Sequence, residues 1–137
     1  MVSKTKLTVR YAETDQMGIV YHANYYIWFE VARGDFIKQI GISYKELEDM
    51  GIMMPIIETG CRHYQGAKYD DEIIIEAYVN EMSPAKVIFN YNVIREEDNK
   101  LLAKGTTTLG FVDKKTFRIV NLKKRNLDLY NKLSSLK

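Results

Sequence analysis

The feature that most constrains the fold of this chain is a change in hydrophobic period near residue 24. From Asn24 to Ile40, apolar residues recur at every third or fourth position, which is the spacing of an amphipathic helix. The members of this stripe are Tyr25, Phe29, Ala32, Phe36 and Ile40. Gly41 follows directly, and glycine commonly ends a helix. Because such a stripe must be covered by a second layer, this helix is predicted to lie at the core.

The rest of the chain is dominated by patterns typical of β-strands. A first strand is predicted at residues 5–11, where alternation places Leu7, Val9 and Tyr11 on one face. Later segments are rich in β-branched and aromatic residues and are separated by turn signals. They are Met54–Tyr64, Glu72–Glu81, Lys86–Arg95, Leu101–Val112 and a last strand, Phe117–Val120, that completes a meander. One long helix followed by antiparallel strands predicts an α+β architecture.

Two shorter helices and one internal glycine complete this prediction. Ser43 and Glu46 fit a capping box, so residues 44–50 are predicted to be helical and to end at Gly51. Residues 123–136 carry leucines at helical spacing, which predicts a C-terminal helix. Gly34 lies inside the long helix, where glycine costs about 1 kcal/mol relative to alanine. Close packing of the sheet around the helix would explain it; otherwise the cost is simply tolerated.

Composition limits the number of domains and the classes of partner. The 137 residues fit a single domain, 1–137, because a chain of this length buries about two-thirds of its extended surface on folding. Basic and acidic residues are interspersed and the net charge is only +2, which does not indicate a nucleic-acid partner. The single cysteine, Cys61, cannot form an internal disulfide. No apolar run reaches the length of about 18 residues that a membrane span needs, so a cytoplasmic protein without membrane insertion is expected.

The junction before the long helix is where chemistry is expected. Asp15, Gly18 and His22 fall within eight positions there. A carboxylate near a helix N-terminus lies beside unpaired backbone N–H groups, which suit an anion or a polarised carbonyl, and this combination favours acyl transfer. The alternative is that Asp15 caps the helix. That interpretation fits less well because Asp15 lies nine residues before Asn24, which is the better cap.

A motif in this region resembles the N-terminal signature of the 4-hydroxybenzoyl-CoA thioesterase family. The residues are Tyr-x-x-Thr-Asp-x-x-Gly-x-Val-Tyr-His-x-Asn-Tyr from Tyr11, followed by Trp-Phe-Glu-x-Ala-Arg from Trp28. Within that family, the chain looks most similar to the branch associated with the Tol-Pal system, which includes short-chain acyl-CoA thioesterases. The likeness continues through Pro55–Tyr64 and covers roughly residues 5–122. Glu13 is a departure, since close relatives often have Asp there, and it leaves the chemistry of the motif intact.

The resemblance implies a hotdog fold, in which the sheet curls around the central helix, and hydrolysis of an acyl-CoA or acyl-carrier-protein thioester without a cofactor or metal. Asp15 would be either the nucleophile, giving a mixed anhydride, or the general base on a water. The backbone N–H of His22 would polarise the carbonyl, with a lesser role for its ring. Gly18 would supply a positive φ or allow close approach of the substrate, unless it is an ordinary turn glycine.

Several residues are candidates for contacting the substrate. Tyr21 and Tyr25 lie nearest the helix entrance, although the surrounding aromatic cluster is first of all core material. In the resembling family, the strand that holds Glu58, Thr59 and Gly60 borders the active site across a subunit interface. These three residues are therefore expected to line the thioester, and the protein is expected to be a homodimer or a homotetramer. For Glu58, the alternative is an ordinary outward-facing strand residue.

Other interpretations remain open. Cys61 and His63 share a strand face and could suggest a thiol nucleophile with a base, although a lone buried thiol is the simpler interpretation. No metal-binding spacing of His or Cys is present in the sequence. The rival functions are a non-catalytic acyl-CoA or acyl-carrier-protein binding module, a scaffold in lipid or envelope metabolism, and a hotdog dehydratase. The basic residues that would bind the phosphates of CoA are not assigned; the candidates are Arg62, Lys86, Lys104, Lys123, Lys124 and Arg125.

Overall fold

The computed structural model describes residues 1–137 and contains seven strands and four α-helices. The strands are β1 (Ser3–Thr8), β2 (Ile52–Met53), β3 (Ile56–His63), β4 (Glu72–Met82), β5 (Lys86–Arg95), β6 (Lys100–Gly110) and β7 (Val112–Asp113). The helices are α1 (Ala23–Gln39), α2 (Tyr44–Asp49), α3 (Leu122–Arg125) and α4 (Leu127–Ser134), and a 3-10 turn spans Tyr11–Glu13. None of the helices is long and apolar enough to cross a membrane.

Five of the strands form one antiparallel sheet in the order β1-β4-β5-β6-β3. Strands β4, β5 and β6 are a meander, but β3 precedes them in the chain and pairs with the far side of β6. The predicted simple meander is therefore wrong at the sheet edges. Strands β2 and β7 form a separate two-stranded ribbon. Helix α1 packs on the inner face of the large sheet, and 27 buried residues form one apolar cluster, so the α+β prediction is confirmed.

The apolar stripe of α1 faces the sheet as predicted. Tyr25, Phe29, Ala32 and Phe36 are fully buried, and Ile40 is half-buried. Gly41 follows with φ +82°, a left-handed conformation that suits glycine, and its N–H bonds the Lys38 carbonyl. The start of the helix differs from the prediction. His22 is the N-cap, and the side-chain amide of Asn24 instead donates to the Glu13 carbonyl at 2.9 Å, so the predicted Asn24 cap is wrong.

Several predicted boundaries need correction. The first strand ends at Thr8, and Tyr11 lies in the 3-10 turn, with 76% of its surface exposed, and not on the strand face predicted for it with Leu7 and Val9. The predicted strand Phe117–Val120 is absent. Phe117 has φ +58°, and a single bridge between Val112 and Ile119 is the only ladder contact there.

Both smaller helical predictions hold in part. The Ser43 hydroxyl caps α2 by accepting the Glu46 N–H at 3.1 Å, and Gly51 ends this region with φ +78°. The predicted C-terminal helix is divided into α3 and α4 at Asn126, whose φ of −153° breaks the helix. The side chain of Asn126 then caps α4 by accepting the Leu129 N–H at 3.1 Å.

The close approach between α1 and the sheet occurs at a glycine of the sheet. A Cβ added at Gly34 would meet no atom within 4 Å, so close packing of the sheet does not explain this helical glycine. At Gly105 in β6, an added Cβ would lie 2.3 Å from the ring of Phe29, which is fully buried. Gly105 therefore leaves the space that lets the Phe29 ring reach the sheet and stack on Tyr91, with ring centroids 4.3 Å apart.

These two glycines predict opposite effects of the same substitution. Gly105→Ala forces an overpacked contact with Phe29 and should lower the free energy of unfolding by about 1–3 kcal/mol. Gly34→Ala adds a methyl group in open space on a helix and should raise it by up to about 1 kcal/mol. Urea denaturation at matched protein concentration measures both. A loss of stability in Gly34→Ala would indicate that a backbone from outside the protomer packs on this face of α1.

Candidate active site

The loop that carries Asp15 is a tight hairpin placed just before α1. The Asp15 N–H bonds the Ile19 carbonyl at 2.9 Å, and the Gly18 N–H bonds the Asp15 carbonyl at 3.0 Å. A bridge between Thr14 and Val20 closes the base of this hairpin. Gly18 has φ +78°, and nothing lies near the place of its missing Cβ, so its role is the positive φ of the turn. The hairpin holds Asp15 in one position relative to the helix.

Only one of the two carboxylate oxygens of Asp15 accepts a hydrogen bond from the protein. Its Oδ1 accepts the Met17 N–H at 2.8 Å. The other oxygen, Oδ2, accepts no hydrogen bond and makes no ion pair. One oxygen is thus fixed in place while the other is available to a reactant, which is the arrangement needed of a nucleophile or a general base.

Asp15 opens into a cavity of about 220 Å³ between the hairpin, the start of α1, and the end of β3 with the residues that follow it. The lining residues are Asp15, Met17, Ile19, Val20, His22, Tyr25, His63, Tyr64, Gln65 and Gly66. The cavity therefore combines one acid, two histidines and an apolar wall. A small acyl or aromatic group fits this chemistry better than a charged one does.

The first turn of α1 presents two unused backbone donors beside this cavity. The Tyr21 N–H bonds the Glu13 carbonyl at 2.9 Å, and the Asn24 N–H bonds the Tyr21 carbonyl at 3.0 Å. Between them, the N–H groups of His22 and Ala23 have no acceptor in the protein. Free amides at a helix N-terminus are donors of the kind that can bind an oxyanion, and the helix dipole favours negative charge there.

Glu13 is a buried acid that ties this region together, and the sequence did not identify its role. Only 5% of its surface is exposed. Its carboxylate accepts the Trp28 indole N–H and the Arg10 backbone N–H, each at 2.8 Å. Burial favours the neutral acid, but the bonds from Arg10 and Trp28 outweigh it and hold the pKa of Glu13 below its usual value. The sequence showed that Glu13 lies within the motif, but it did not show that Trp28 is its partner.

His63 is a second residue of the site whose role the sequence did not indicate. Its ring meets that of Tyr25 edge-on, with centroids 4.6 Å apart. Burial and the nearby His22 both lower the pKa of His63, so the neutral ring is favoured at neutral pH. Alternation had placed His63 on the same strand face as Cys61, and this was the only available signal. Burial raises the pKa of the Cys61 thiol to about 11, so at neutral pH it is not a thiolate nucleophile.

The predicted contact residues divide into two groups. Tyr25 lines the cavity, whereas Tyr21 is 50% exposed and packs against the His22 ring with centroids 4.5 Å apart. The residues predicted on the strand, Glu58, Thr59 and Gly60, do not line the cavity of the same protomer. They lie in the middle of β3, and the register with β6 places Glu58 and Gly60 on the outer face.

A second cavity, of about 270 Å³, lies at the other end of β3. It is mainly apolar and is lined by Tyr44, Leu47, Glu48, Ile52, Met53, Met54, Pro55 and Phe117. Asp15 and the free amides lie near the opposite end of β3, so the cavity of about 220 Å³ that contains Asp15 is the candidate active site.

No three His, Cys, Asp or Glu side chains come together in a way that could hold a metal ion.

Comparison with known proteins identifies the family. Residues 9–129 match the thioesterase-like superfamily. YneP of Bacillus subtilis is 34% identical over 123 residues, which span 90% of this chain and 88% of that protein. The acyl-CoA thioesterase YbgC of Haemophilus influenzae is 30% identical over 106 residues, which span 77% of this chain and 76% of its own. The chain belongs to the thioesterase-like superfamily.

A solved structure agrees with this membership. The crystal structure of a DHNA-CoA thioesterase from Staphylococcus aureus matches with a TM-score of 0.92 and 32% identity, covering 98% of this chain and 89% of that chain. The expected hotdog fold is confirmed, and so is the expectation that this protein is an enzyme of the thioesterase class.

The buried bonds of Glu13 predict a pH-dependent contribution to stability. The pKa of Glu13 is lower in the folded state than its usual value of 4.5, so ionisation of Glu13 stabilises the fold. This stabilisation is complete above pH 4.5 and is lost as the pH falls through the pKa of the folded state. Glu13→Gln should therefore lower the free energy of unfolding by about 1–3 kcal/mol at pH 7. The difference from the wild type should shrink as the pH falls below 4.5. Denaturation at several pH values measures this, and a difference that stays constant would contradict the lowered pKa.

Proposed function

We propose that this protein hydrolyses acyl-CoA thioesters to a carboxylic acid and free CoA at the Asp15 cavity. The observation that carries the proposal is that an unbonded carboxylate oxygen on Asp15 and the residue His22, whose amide is unbonded, lie at the same cavity, with the unbonded amide of Ala23 next in the chain. Thioester hydrolysis needs these two elements, an oxygen that attacks or activates water and donors that stabilise the oxyanion. Both are supplied by the protein, and water is the only other reactant.

The thioester carbonyl oxygen binds at the start of α1, where the His22 and Ala23 amides polarise it. The Asp15 carboxylate then acts in one of two ways. As a nucleophile, it attacks the carbonyl carbon, the thiolate of CoA leaves, and water hydrolyses the mixed anhydride. As a general base, it takes a proton from water, whose oxygen attacks the carbonyl carbon, and the thiolate then leaves. In both cases Gly18 keeps the hairpin, and hence the carboxylate, in position.

The substrate class is supported by the names of similar proteins. YbgC of Haemophilus influenzae is an acyl-CoA thioesterase, and the Staphylococcus aureus structure is a DHNA-CoA thioesterase. The apolar wall of the cavity, with Tyr25 and Ile19, suits a short aliphatic or an aromatic acyl group. An acyl-carrier-protein thioester is the alternative carrier. The Tol-Pal-associated branch and the cytoplasmic location stay predictions.

We also infer that the working enzyme is a homodimer or a homotetramer. Glu58, Thr59 and Gly60 lie outside the cavity of their own protomer, so they reach a bound thioester only from a second copy. Tyr21 is exposed beside His22 and is placed to contact the substrate at the mouth of the site.

Replacing the Asp15 carboxylate tests the proposal. Release of CoA thiol is measured over a panel from acetyl- to palmitoyl-CoA, together with benzoyl- and 1,4-dihydroxy-2-naphthoyl-CoA. Asp15→Asn should lower kcat by about 10²-fold or more, because it removes the attacking or proton-accepting oxygen. Glu30→Gln, an equally isosteric change at an exposed acid of α1, serves as the matched control and should keep wild-type turnover.

Two outcomes would contradict this assignment. A wild type that binds acyl-CoA but releases no thiol is a binding module, and Asp15 then serves only to position the ligand. An Asp15→Asn variant as active as the wild type shows that another group does the chemistry. Thermal unfolding of each variant separates loss of chemistry from loss of folding.

The oxyanion role of the backbone can be tested by two substitutions at one residue. His22→Ala removes the ring and keeps the amide, so kcat should fall less than tenfold if the ring is secondary. His22→Pro also removes the N–H, and its φ of −55° is close to the value that proline requires. Because this N–H has no acceptor in the protein, folding should be preserved while kcat falls a further 10²–10³-fold, roughly the effect of losing one oxyanion donor. Equal activities of the two variants would exclude the His22 amide.

A further inference from the structure

The lining of the Asp15 cavity contains a close contact between a side chain and the main chain. Ile19 and Gly66 both line this cavity. A Cβ added at Gly66 would lie 2.6 Å from Cγ2 of Ile19, 2.9 Å from its Cβ and 3.1 Å from its Cδ1. The space between the two residues is too small for a methyl group, so the Ile19 side chain packs directly on the backbone of Gly66.

The segment that contains Gly66 is held by hydrogen bonds on both sides. The Tyr64 N–H donates to the Leu102 carbonyl of β6 at 2.8 Å. On the other side, the Val20 N–H donates to the carbonyl of Ala67, which is fully buried, also at 2.8 Å. The backbone at Gly66 therefore cannot move away from the side chain that packs on it without breaking these bonds.

Ile19 is also tied to the carboxylate of the site through the main chain. Its carbonyl accepts the Asp15 N–H at 2.9 Å across the hairpin. Because isoleucine is β-branched, few χ1 rotamers are open to it, and the backbone of Gly66 blocks one side of this residue. The Ile19 side chain therefore has little freedom to move relative to Asp15.

The other apolar side chains of the cavity are placed differently. Tyr25 and Val20 belong to the buried core of the protein. Met17 and Tyr64 are 77% and 54% exposed, so they can turn into solvent. Ile19 is partly buried and lies outside the core cluster. It is thus an apolar side chain of fixed position whose size can change without opening the core.

We propose that Ile19, packed on Gly66, sets the size of the acyl group that the cavity accepts. This inference rests on the proposed function, because it places the acyl group of the thioester in the Asp15 cavity. The acyl chain extends from the carbonyl carbon until it meets the Ile19 side chain. At about 220 Å³, the cavity is smaller than the pockets of roughly 300–1,000 Å³ that hold drug-sized ligands, so the acyl group that fits is short.

A purely structural role of this contact makes a different prediction. If Ile19 and Gly66 only stabilise the hairpin, their substitution should change the turnover of every acyl-CoA by the same factor. If Ile19 limits the acyl group, substitution should change the ratio between long and short substrates. The ratio of kcat/KM for hexanoyl-CoA to kcat/KM for acetyl-CoA is therefore the quantity to measure.

Shortening the Ile19 side chain should favour longer acyl groups. Ile19→Ala removes three carbon atoms from the cavity lining, so the hexanoyl-to-acetyl ratio should rise by about tenfold or more, since room for even one methylene is worth about 10–200-fold in an apolar pocket. Ile119→Ala removes the same atoms from a side chain that is 68% exposed and does not line the cavity. This control should keep the wild-type ratio.

A methyl group added at Gly66 should have the opposite effect. Gly66→Ala takes space from the cavity and displaces Ile19, so the hexanoyl-to-acetyl ratio should fall by about tenfold or more. Its control is Gly34→Ala, where the added methyl meets no atom within 4 Å. Gly66→Ala should also lower the urea midpoint of the wild type more than that of Ile19→Ala, because Ile19→Ala removes two of the three short contacts.

Binding of unreactive analogues gives a readout that does not depend on hydrolysis. S-Alkyl-CoA thioethers have no carbonyl carbon to attack, and calorimetry gives their dissociation constants. The preference for S-hexyl-CoA over S-ethyl-CoA, taken as the ratio of dissociation constants, should rise by about tenfold or more in Ile19→Ala. It should fall by a similar factor in Gly66→Ala.

The outcomes separate the role of Ile19 from the reaction. An Ile19→Ala variant that is folded and keeps the wild-type ratios in both assays overturns the inference and leaves the proposed function standing. A wild type that releases no CoA thiol, but whose thioether preference shifts as described, overturns the proposed function and leaves Ile19 as the limit of a binding site. If Ile19→Ala does not fold, Ile19→Val, which loses only Cδ1, should give a smaller shift of the same sign, and no shift overturns the inference.

Discussion

The contact between the stripe of α1 and the inner face of the sheet is the constraint on which the rest of the structure depends. Phe29 stacks on Tyr91 and occupies the space above Gly105, which fixes the helix along and across the sheet. The first turn of α1 is fixed with it. Asn24 on that turn and Trp28 on the next turn hold Glu13, and Asp15 follows Glu13 by two residues. A packing contact in the core thus determines where the carboxylate and the free amides lie.

The sequence predicted the main elements because their patterns are local. Apolar spacing located α1, and β-branched and aromatic runs between turn signals located β4 and β5 to within a residue. Boundaries set by tertiary contacts were not accessible. Tyr11 has the alternation of a strand, but the 3-10 turn removes it from the sheet. The pairing of β3 with β6 joins segments distant in the chain, and no local pattern indicated that β3 lies at the edge.

The candidate site was predictable where the motif itself carries it. Asp15 and His22 are near in sequence and also line one cavity. His63 comes from a distant strand, and only the folded register brings it to the start of the helix. The partnership of Glu13 with Trp28 likewise depends on a 3-10 turn folding back on α1. Similarity to a family supplied the chemistry, whereas the free oxygen of Asp15 and the unbonded amides became visible only in three dimensions.

The two unbonded amides of α1 belong to the main chain, and this affects how such a site can diverge. Almost any residue at these positions offers the same N–H, so side chains around the carbonyl can be exchanged without removing its binding groups. Selection can then act on the walls of the cavity separately from the reacting centre. A lineage built on this helix start can change the acyl group that it accepts through many single substitutions while each intermediate stays competent in hydrolysis.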